Sequence, residues 1–198
     1  MDLQAERSSA VNELSPEERK KLLQLARQAL EEAVREGDLS EIDLEDLPPS
    51  LILNGVSFVT LTIGGQLRGC VGGLEAKMPL VEDVRQHAAA AGLSDFRFPP
   101  VRPEELPEVR IEISRLTSPK TLDYECPEDL LDCLHPGLDG VVLVDGTRKA
   151  TFLPQVWEKV PDPDHFLGLL CQKMGAPADL WKRKKLTVFV YRVEKFLE

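Results

Sequence analysis

Apolar positions along the chain follow two rhythms, and these divide it into helices and strands. Leu22, Leu25, Ala26, Ala29, Leu30 and Ala33 recur at helical spacing. Ser15-Pro16-Glu17-Glu18 precedes them with a capping-box pattern and Gly37 closes them, so a one-sided helix is predicted. Val56 to Ile63 reads as a strand, Gly64-Gly65 as a turn, and Leu67 to Gly72 as the returning arm of a hairpin. Pro79 to Ala91 reads as a second helix stopped by Gly92. In Val109 to Leu116, apolar Val109, Ile111 and Ile113 alternate with Arg110, Glu112 and Ser114, as in a half-buried strand. Pro127 to Leu134 gives a short helix. A second hairpin follows, Gly140–Val144 with Lys149–Leu153, and then a helix over Asp162 to Met174. Pro177 to Trp181 starts another short helix, and Leu186 to Phe196 is a long closing strand.

Strands and helices mix without a βαβ repeat, which predicts an α+β fold with antiparallel sheets. Residues 1–14 read as a flexible tail, and residues 38–50, ending in Pro48-Pro49, as an extended connector. The texture changes after Pro119. If the closing strand returns to the first sheet, residues 15–117 and 184–198 form a larger lobe. Residues 118–183 then form a smaller inserted lobe, with a cleft between the two where a ligand is expected.

The composition narrows the function. The 198 residues are 42% hydrophobic and 29% charged, enough for a core without metal or disulfide help. The net charge of −10 disfavours an extended duplex-DNA surface. The first fourteen residues lack the apolar stretch of a signal peptide, and the uncharged run Leu47–Leu67 is broken by prolines and glycines, so neither membrane span nor membrane partner is expected. A cytoplasmic location is the expectation. Four Cys at wide spacing give neither a disulfide framework nor a metal motif, and no nucleotide loop is present, so neither metal nor cofactor is expected.

The chemistry concentrates in Leu67-Arg68-Gly69-Cys70-Val71-Gly72-Gly73. On a regular strand Arg68 and Cys70 share a face, and a guanidinium beside a thiol favours the nucleophilic thiolate. The alternative is a buried Cys70 in a glycine-rich hairpin with Arg68 paired to Glu112. His87, His135 and His165 do not assemble into a Cys–His dyad on sequence grounds. Asp95-Phe96-Arg97-Phe98-Pro99-Pro100 either lines a site or caps the preceding helix. Arg148 and Gln155 fall in Thr147 to Trp157, where a strand ends with polar groups. Lys182 to Lys185 is a basic run, read as a solvated helix end with RNA as the alternative.

Taken together, these segments resemble the AMMECR family, also called AmmeMemoRadiSam system protein A. The resemblance rests on Leu67-Arg68-Gly69-Cys70-Val71-Gly72, on Asp95, Arg97, Phe98, Pro100 and Val101, and on Glu112-Ile113-Ser114. Ala150 to Trp157 and Leu170, Cys171 and Lys173 extend it. It implies two α+β lobes, about five antiparallel strands in the larger and three in the smaller, with the Cys70 motif facing the cleft. It also implies a pathway shared with a Memo-type protein and a radical SAM protein. Two functions follow. One is a module that binds a ligand or partner through Leu67, Arg68, Gly69, Gly72, Asp95, Arg97, Arg148 and Gln155. The other is an enzyme with Cys70 as nucleophile or acceptor, Arg68 holding an anion, and Glu112 or Asp95 moving protons. Structured RNA held by Arg68, Arg97 and Arg148 is a third alternative.

Overall fold

The computed structural model describes residues 13–198. Its chain forms two compact units, each with a four-stranded antiparallel sheet. The first holds the described residues up to Thr117 together with Glu194–Glu198, and the second holds Ser118–Val193. The α+β class is as the two rhythms predict.

In the first unit, helix α1 spans Pro16–Glu36. Ser15 Oγ accepts the Glu18 N–H at 3.2 Å, Glu18 answers at the Ser15 N–H at 2.7 Å, and Gly37 ends the helix at φ 88°. Residues 1–12 of the expected tail lie outside the described residues. Its last residue, Leu14, is buried rather than loose, and its N–H donates to Glu194. The connector is not wholly extended either, because Pro49–Ile52 forms a short helix, α2, with Pro49 at its first position. Strands β1, Val56–Ile63, and β2, Gln66–Gly72, form a hairpin through Gly64 and Gly65, whose φ of 57° and 79° suit a two-residue turn. Helix α3, Leu80–Leu93, packs with α1 over one face of the sheet. Strand β3 is Val109–Leu116, and β8, Val193–Leu197, lies beside it, giving the order β2-β1-β3-β8. The core lies between this sheet and the helices: Leu22, Leu30, Val59, Leu61, Val84, Ala88, Ile111, Ile113 and Phe196.

Gly92 does not stop the second helix. It lies within α3, buried, where an added Cβ would come within 2.5 Å of Leu30 Cδ1. A glycine there lets α1 and α3 approach closely, and sequence reading cannot tell that use from a helix stop.

The second unit carries β4, Lys120–Thr121; helix α4, Pro127–Cys133; and the hairpin of β5, Gly140–Asp145, with β6, Arg148–Phe152. A 3₁₀ turn over Pro154–Glu158, α5 over Pro163–Lys173, α6 over Leu180–Arg183 and β7 over Thr187–Tyr191 complete it. The sheet order is β4-β7-β5-β6. Trp157 stacks on Phe166, centroids 3.6 Å apart, at the centre of this unit's core. Cys171 is buried there, whereas Cys133 is half-buried.

The long closing strand is two strands. Residues 187–191 pair with β5 and β4, and only 193–197 reach the first sheet. The sheets therefore have four strands each, not about five and three, and residues 184–193 belong with the second unit. Alternation reports that a strand has a buried side. It does not say which sheet supplies the partner, and here Val188 enters one core and Phe196 the other.

Strand β2 runs so close to α3 that a Cβ on Gly69 would lie 2.1 Å from the Ala91 carbonyl oxygen. The clash is with backbone, so it can be relieved only by moving the strand or the helix. Gly69→Ala should destabilise the fold by about 3 kcal/mol, measured by denaturant unfolding. A loss within experimental error would show that the contact is loose.

Candidate functional site

The site is built on β2, which is the edge of its sheet. Regular pairing sets Cys70 opposite Thr60 and Gly69 opposite Leu61, and then the register slips so that Thr62 faces Leu67. Arg68 is the extra residue, a β-bulge, and bulges re-aim side chains. Its guanidinium turns to the loop after α3. Nε and Nη2 hold Glu105 at 2.9 and 3.1 Å, Nη1 donates to the Pro99 carbonyl at 2.9 Å, and Nη2 also reaches the Pro100 carbonyl at 3.3 Å. The partner of Arg68 is thus Glu105, not Glu112. Sequence alternation cannot show a bulge, and Glu105, thirty-seven residues away, carries no local signal.

Asp95 and Arg97 close the edge of the strand at Cys70. Asp95 Oδ2 accepts the Cys70 backbone N–H at 2.8 Å, and Arg97 Nη2 donates to the Cys70 carbonyl at 3.2 Å. Arg97 also holds Asp95 through Nε at 2.9 Å and Nη2 at 2.6 Å. One carboxylate and one guanidinium replace the N–H and C=O of a missing neighbouring strand. Asp95 is buried at 7% exposure, and its carboxyl is held well below the usual carboxylate range, first by the Arg97 side chain and then by the two backbone N–H groups. Arg97 is raised, chiefly by Asp95, and the Cys70 side chain adds to that rise. The guanidinium that bonds at Cys70 is therefore that of Arg97, through the backbone carbonyl, where the alternation pattern pointed to Arg68.

The half-buried Cys70 side chain lies on the sheet face opposite the helices. Thr60 Oγ1 is 3.3 Å from its sulfur. Thr60 is also the register partner of Glu112, so thiol, hydroxyl and carboxylate form a row across β2, β1 and β3. Glu112 is half-buried and has no hydrogen-bond or ion-pair partner among the described residues. Leu67 is exposed on the same strand, and Gly72 lies under the Phe58 ring, where a Cβ would come within 2.3 Å. Arg148 and Gln155 lie in the second unit. Arg148 pairs with Asp145 and donates to the Gly175 carbonyl, and Gln155 is exposed on the 3₁₀ turn.

Two of the histidines pair with carboxylates. His87 Nδ1 lies 3.2 Å from the buried Asp83 carboxylate, which also accepts the Ser57 N–H and hydroxyl, and His135 pairs with Asp139. No group of three or more metal-ligating side chains occurs among the described residues. The basic run is matched by its surroundings. Lys182 pairs with Asp164, Arg183 with Asp179 and Lys184 with Asp145, while Lys185 lies over the Tyr124 ring. No helix among the described residues is long and apolar enough to cross a membrane.

Fold and site together define an α+β protein whose signature motif is a thiol-bearing edge strand braced by an Asp–Arg pair. A family model described as AMMECR1 matches residues 23–196, and the chain belongs to that family. An uncharacterised protein from Pyrococcus horikoshii, known from its crystal structure, superposes with a TM-score of 0.72 at 34% identity, covering 93% of each chain. A protein of Thermofilum pendens is 37% identical over 196 residues, covering 93% of this chain and 92% of its own. One from Thermococcus gammatolerans is 38% identical over 187 residues, covering 89% and 88%.

Two predictions follow from the bracing. Asp95→Ala should leave the Cys70 N–H without an acceptor, and amide hydrogen exchange at Cys70 should accelerate at least about tenfold. Unchanged exchange would mean that the amide is shielded by something other than the carboxylate. The second concerns acid. The Arg68 guanidinium, aided by the Arg102 N–H, draws Glu105 from 4.5 down to about 2. A folded value below the unfolded one gives stability that is present above pH 4.5 and fades as pH falls from 4.5 towards 2. Denaturation curves across that window should show Glu105→Gln losing less stability than the wild-type chain. Parallel losses would exclude the pair as a source of acid sensitivity.

Proposed function

We propose that this AMMECR1-family chain is a binding module in a modification pathway containing a Memo-type protein and a radical SAM protein. The first unit offers its ligand or partner the sheet face around Cys70, Thr60 and Glu112. One observation carries this reading. The polar side chains of the motif are taken up in building the strand edge, Arg68 by Glu105 and Asp95 by the Cys70 N–H and Arg97, while the half-buried Cys70 side chain lies on the sheet face away from the helices. Leu67, Gly69, Gly72 and the Arg68 brace serve that presentation. The histidine of the first unit, His87, is engaged by the buried Asp83 carboxylate, which disfavours it as the base of a Cys–His hydrolase.

A second reading has its own support. The Thr60 hydroxyl interacts with the Cys70 side chain, the Arg97 guanidinium holds the Cys70 carbonyl, and Glu112 lies on the same face as the thiol. This is the environment of a covalent acceptor, with Arg97 rather than Arg68 as the nearby cation. Paired basic side chains in Lys182–Lys185 and a charge of −10 argue against the RNA alternative.

Two measurements on one preparation separate these readings. The purified chain is titrated with the Memo-type and radical SAM proteins of its own organism, and the intact mass and the Cys70 peptide are then analysed. A binding module should form a complex with at least one of them, and Cys70→Asp should weaken it at least about tenfold with no mass added at Cys70. A stable adduct on Cys70 would favour the acceptor reading. Absence of any complex would overturn the pathway assignment. Iodoacetamide labelling provides an independent check: Cys70 should react faster than buried Cys171. Arg97→Ala should alter the Cys70 rate while Glu105→Gln leaves it unchanged.

A further inference from the structure

The chain holds three dipeptides in which Asn or Asp precedes Gly: Asn54-Gly55, Asp139-Gly140 and Asp145-Gly146. Such pairs are chemically labile. A glycine has no Cβ to hinder its backbone nitrogen from reaching the carbonyl carbon of the preceding side chain. The structure separates the three. Asp139 is buried, and its carboxylate accepts the His135 N–H at 2.9 Å. The Asp145 carboxylate is held by Arg148 and by Lys184. Anchored carboxylates cannot swing freely to a neighbouring nitrogen. Asn54 is exposed and carries an uncharged amide. Its side chain has one polar contact among the described residues, a long one from Nδ2 to the Ala76 carbonyl at 3.5 Å.

Packing requires the glycine. A Cβ on Gly55 would lie 2.8 Å from the Cβ of Leu80, which is buried at 1% exposure. The fold also restrains the pair. Asn54 forms an isolated antiparallel bridge to Pro79. Gly55 N–H donates to the Met78 carbonyl at 3.2 Å, and Leu80 N–H donates to the Leu53 carbonyl at 2.9 Å. The nitrogen that would attack is thus engaged, and the backbone around it is fixed.

We propose that Asn54 is a site of slow spontaneous modification, gated by local opening of this bridge. In the open state the Gly55 nitrogen gives up its proton and attacks Asn54 Cγ. The new C–N bond closes a cyclic imide, and the side-chain nitrogen leaves as ammonia. Water then opens the imide at one of its two carbonyl carbons. One opening gives aspartate. The other gives isoaspartate, in which the main chain runs through the former side chain and is longer by one methylene. The lengthened chain cannot restore the bridge in register. It therefore releases the start of α3 and residues 73–79, which lead out of β2. This inference does not depend on the binding-module reading.

The test follows the full chain at neutral and mildly alkaline pH, folded and in denaturant. Peptide masses locate the product, and an isoaspartyl methyltransferase with a labelled methyl donor counts isoaspartate. Hydrogen exchange at the Gly55 amide is measured on fresh protein. The expected product is a mixture of aspartate and isoaspartate at position 54. Folding should slow its formation by the same factor, within about threefold, as it protects the Gly55 amide. In the separated isoaspartate form, exchange at the Leu80 amide should be at least about tenfold faster. Asn54→Gln, whose longer side chain closes a ring far more slowly, should melt as the wild-type chain does and give no product. The proposal is overturned by no product at Asn54 when the measured protection calls for it, or by equal rates in folded and unfolded chain. Unchanged Leu80 exchange in the isoaspartate form, or conversion at Asp139 or Asp145 ahead of Asn54, would also overturn it.

Discussion

The first unit's candidate site depends on how its outermost strand is finished. An edge strand presents unpaired N–H and C=O groups, and a glycine-rich one has little side-chain bulk to shield them. Here a single ion pair closes the exposed position. Asp95 receives the Cys70 N–H, Arg97 donates to the Cys70 carbonyl, and each holds the other. The same pair fixes the loop that carries Phe96 and places a guanidinium at the Cys70 carbonyl. Arg68, turned outward by the bulge, ties the next part of that loop through Glu105 and two proline carbonyls. Two sequence motifs nearly thirty residues apart therefore form one structural element.

Close packing sets the position of that element. Gly69 lets β2 lie against the α3 backbone, and Gly92 lets α1 lie against α3. The three elements form a stack whose spacing is set by two absent side chains. A methyl group at Gly69 would meet backbone and move the strand that bears Cys70, whereas one at Gly92 would meet the tip of the Leu30 side chain.

Much of this was legible in the sequence, for identifiable reasons. Period-3.6 and period-2 patterns are local, so α1, β1, β3 and the β5–β6 hairpin fall where the spacing puts them. The residues of the candidate site were also legible as types: Arg68, Cys70, Asp95, Arg97 and Glu112 lie in one unit, and Cys70 and Glu112 share a row. Their partnerships were not. A bulge costs one residue of register and leaves the alternation of Leu67 to Gly72 looking regular, so Arg68 was matched to the wrong neighbours. Glu105 and Thr60 had no distinguishing pattern. The closing strand was misassigned because eleven alternating residues look the same whether they serve one sheet or two.

That divided strand changes how the chain can reach its fold. Strand β3 must find β8 across the whole of the second unit, a long-range pairing that is slow for an open chain. Within the second unit, however, β4 pairs with β7, Lys120 opposite Val190 and Thr121 opposite Phe189. Residues just after β3 and just before β8 are thereby brought one strand spacing apart. Once the second unit has folded, the excursion behaves as a tight crossing, and about 2 kcal/mol of closure entropy no longer opposes the first sheet. The inserted unit acts as a clasp that gathers the two strands of the first sheet.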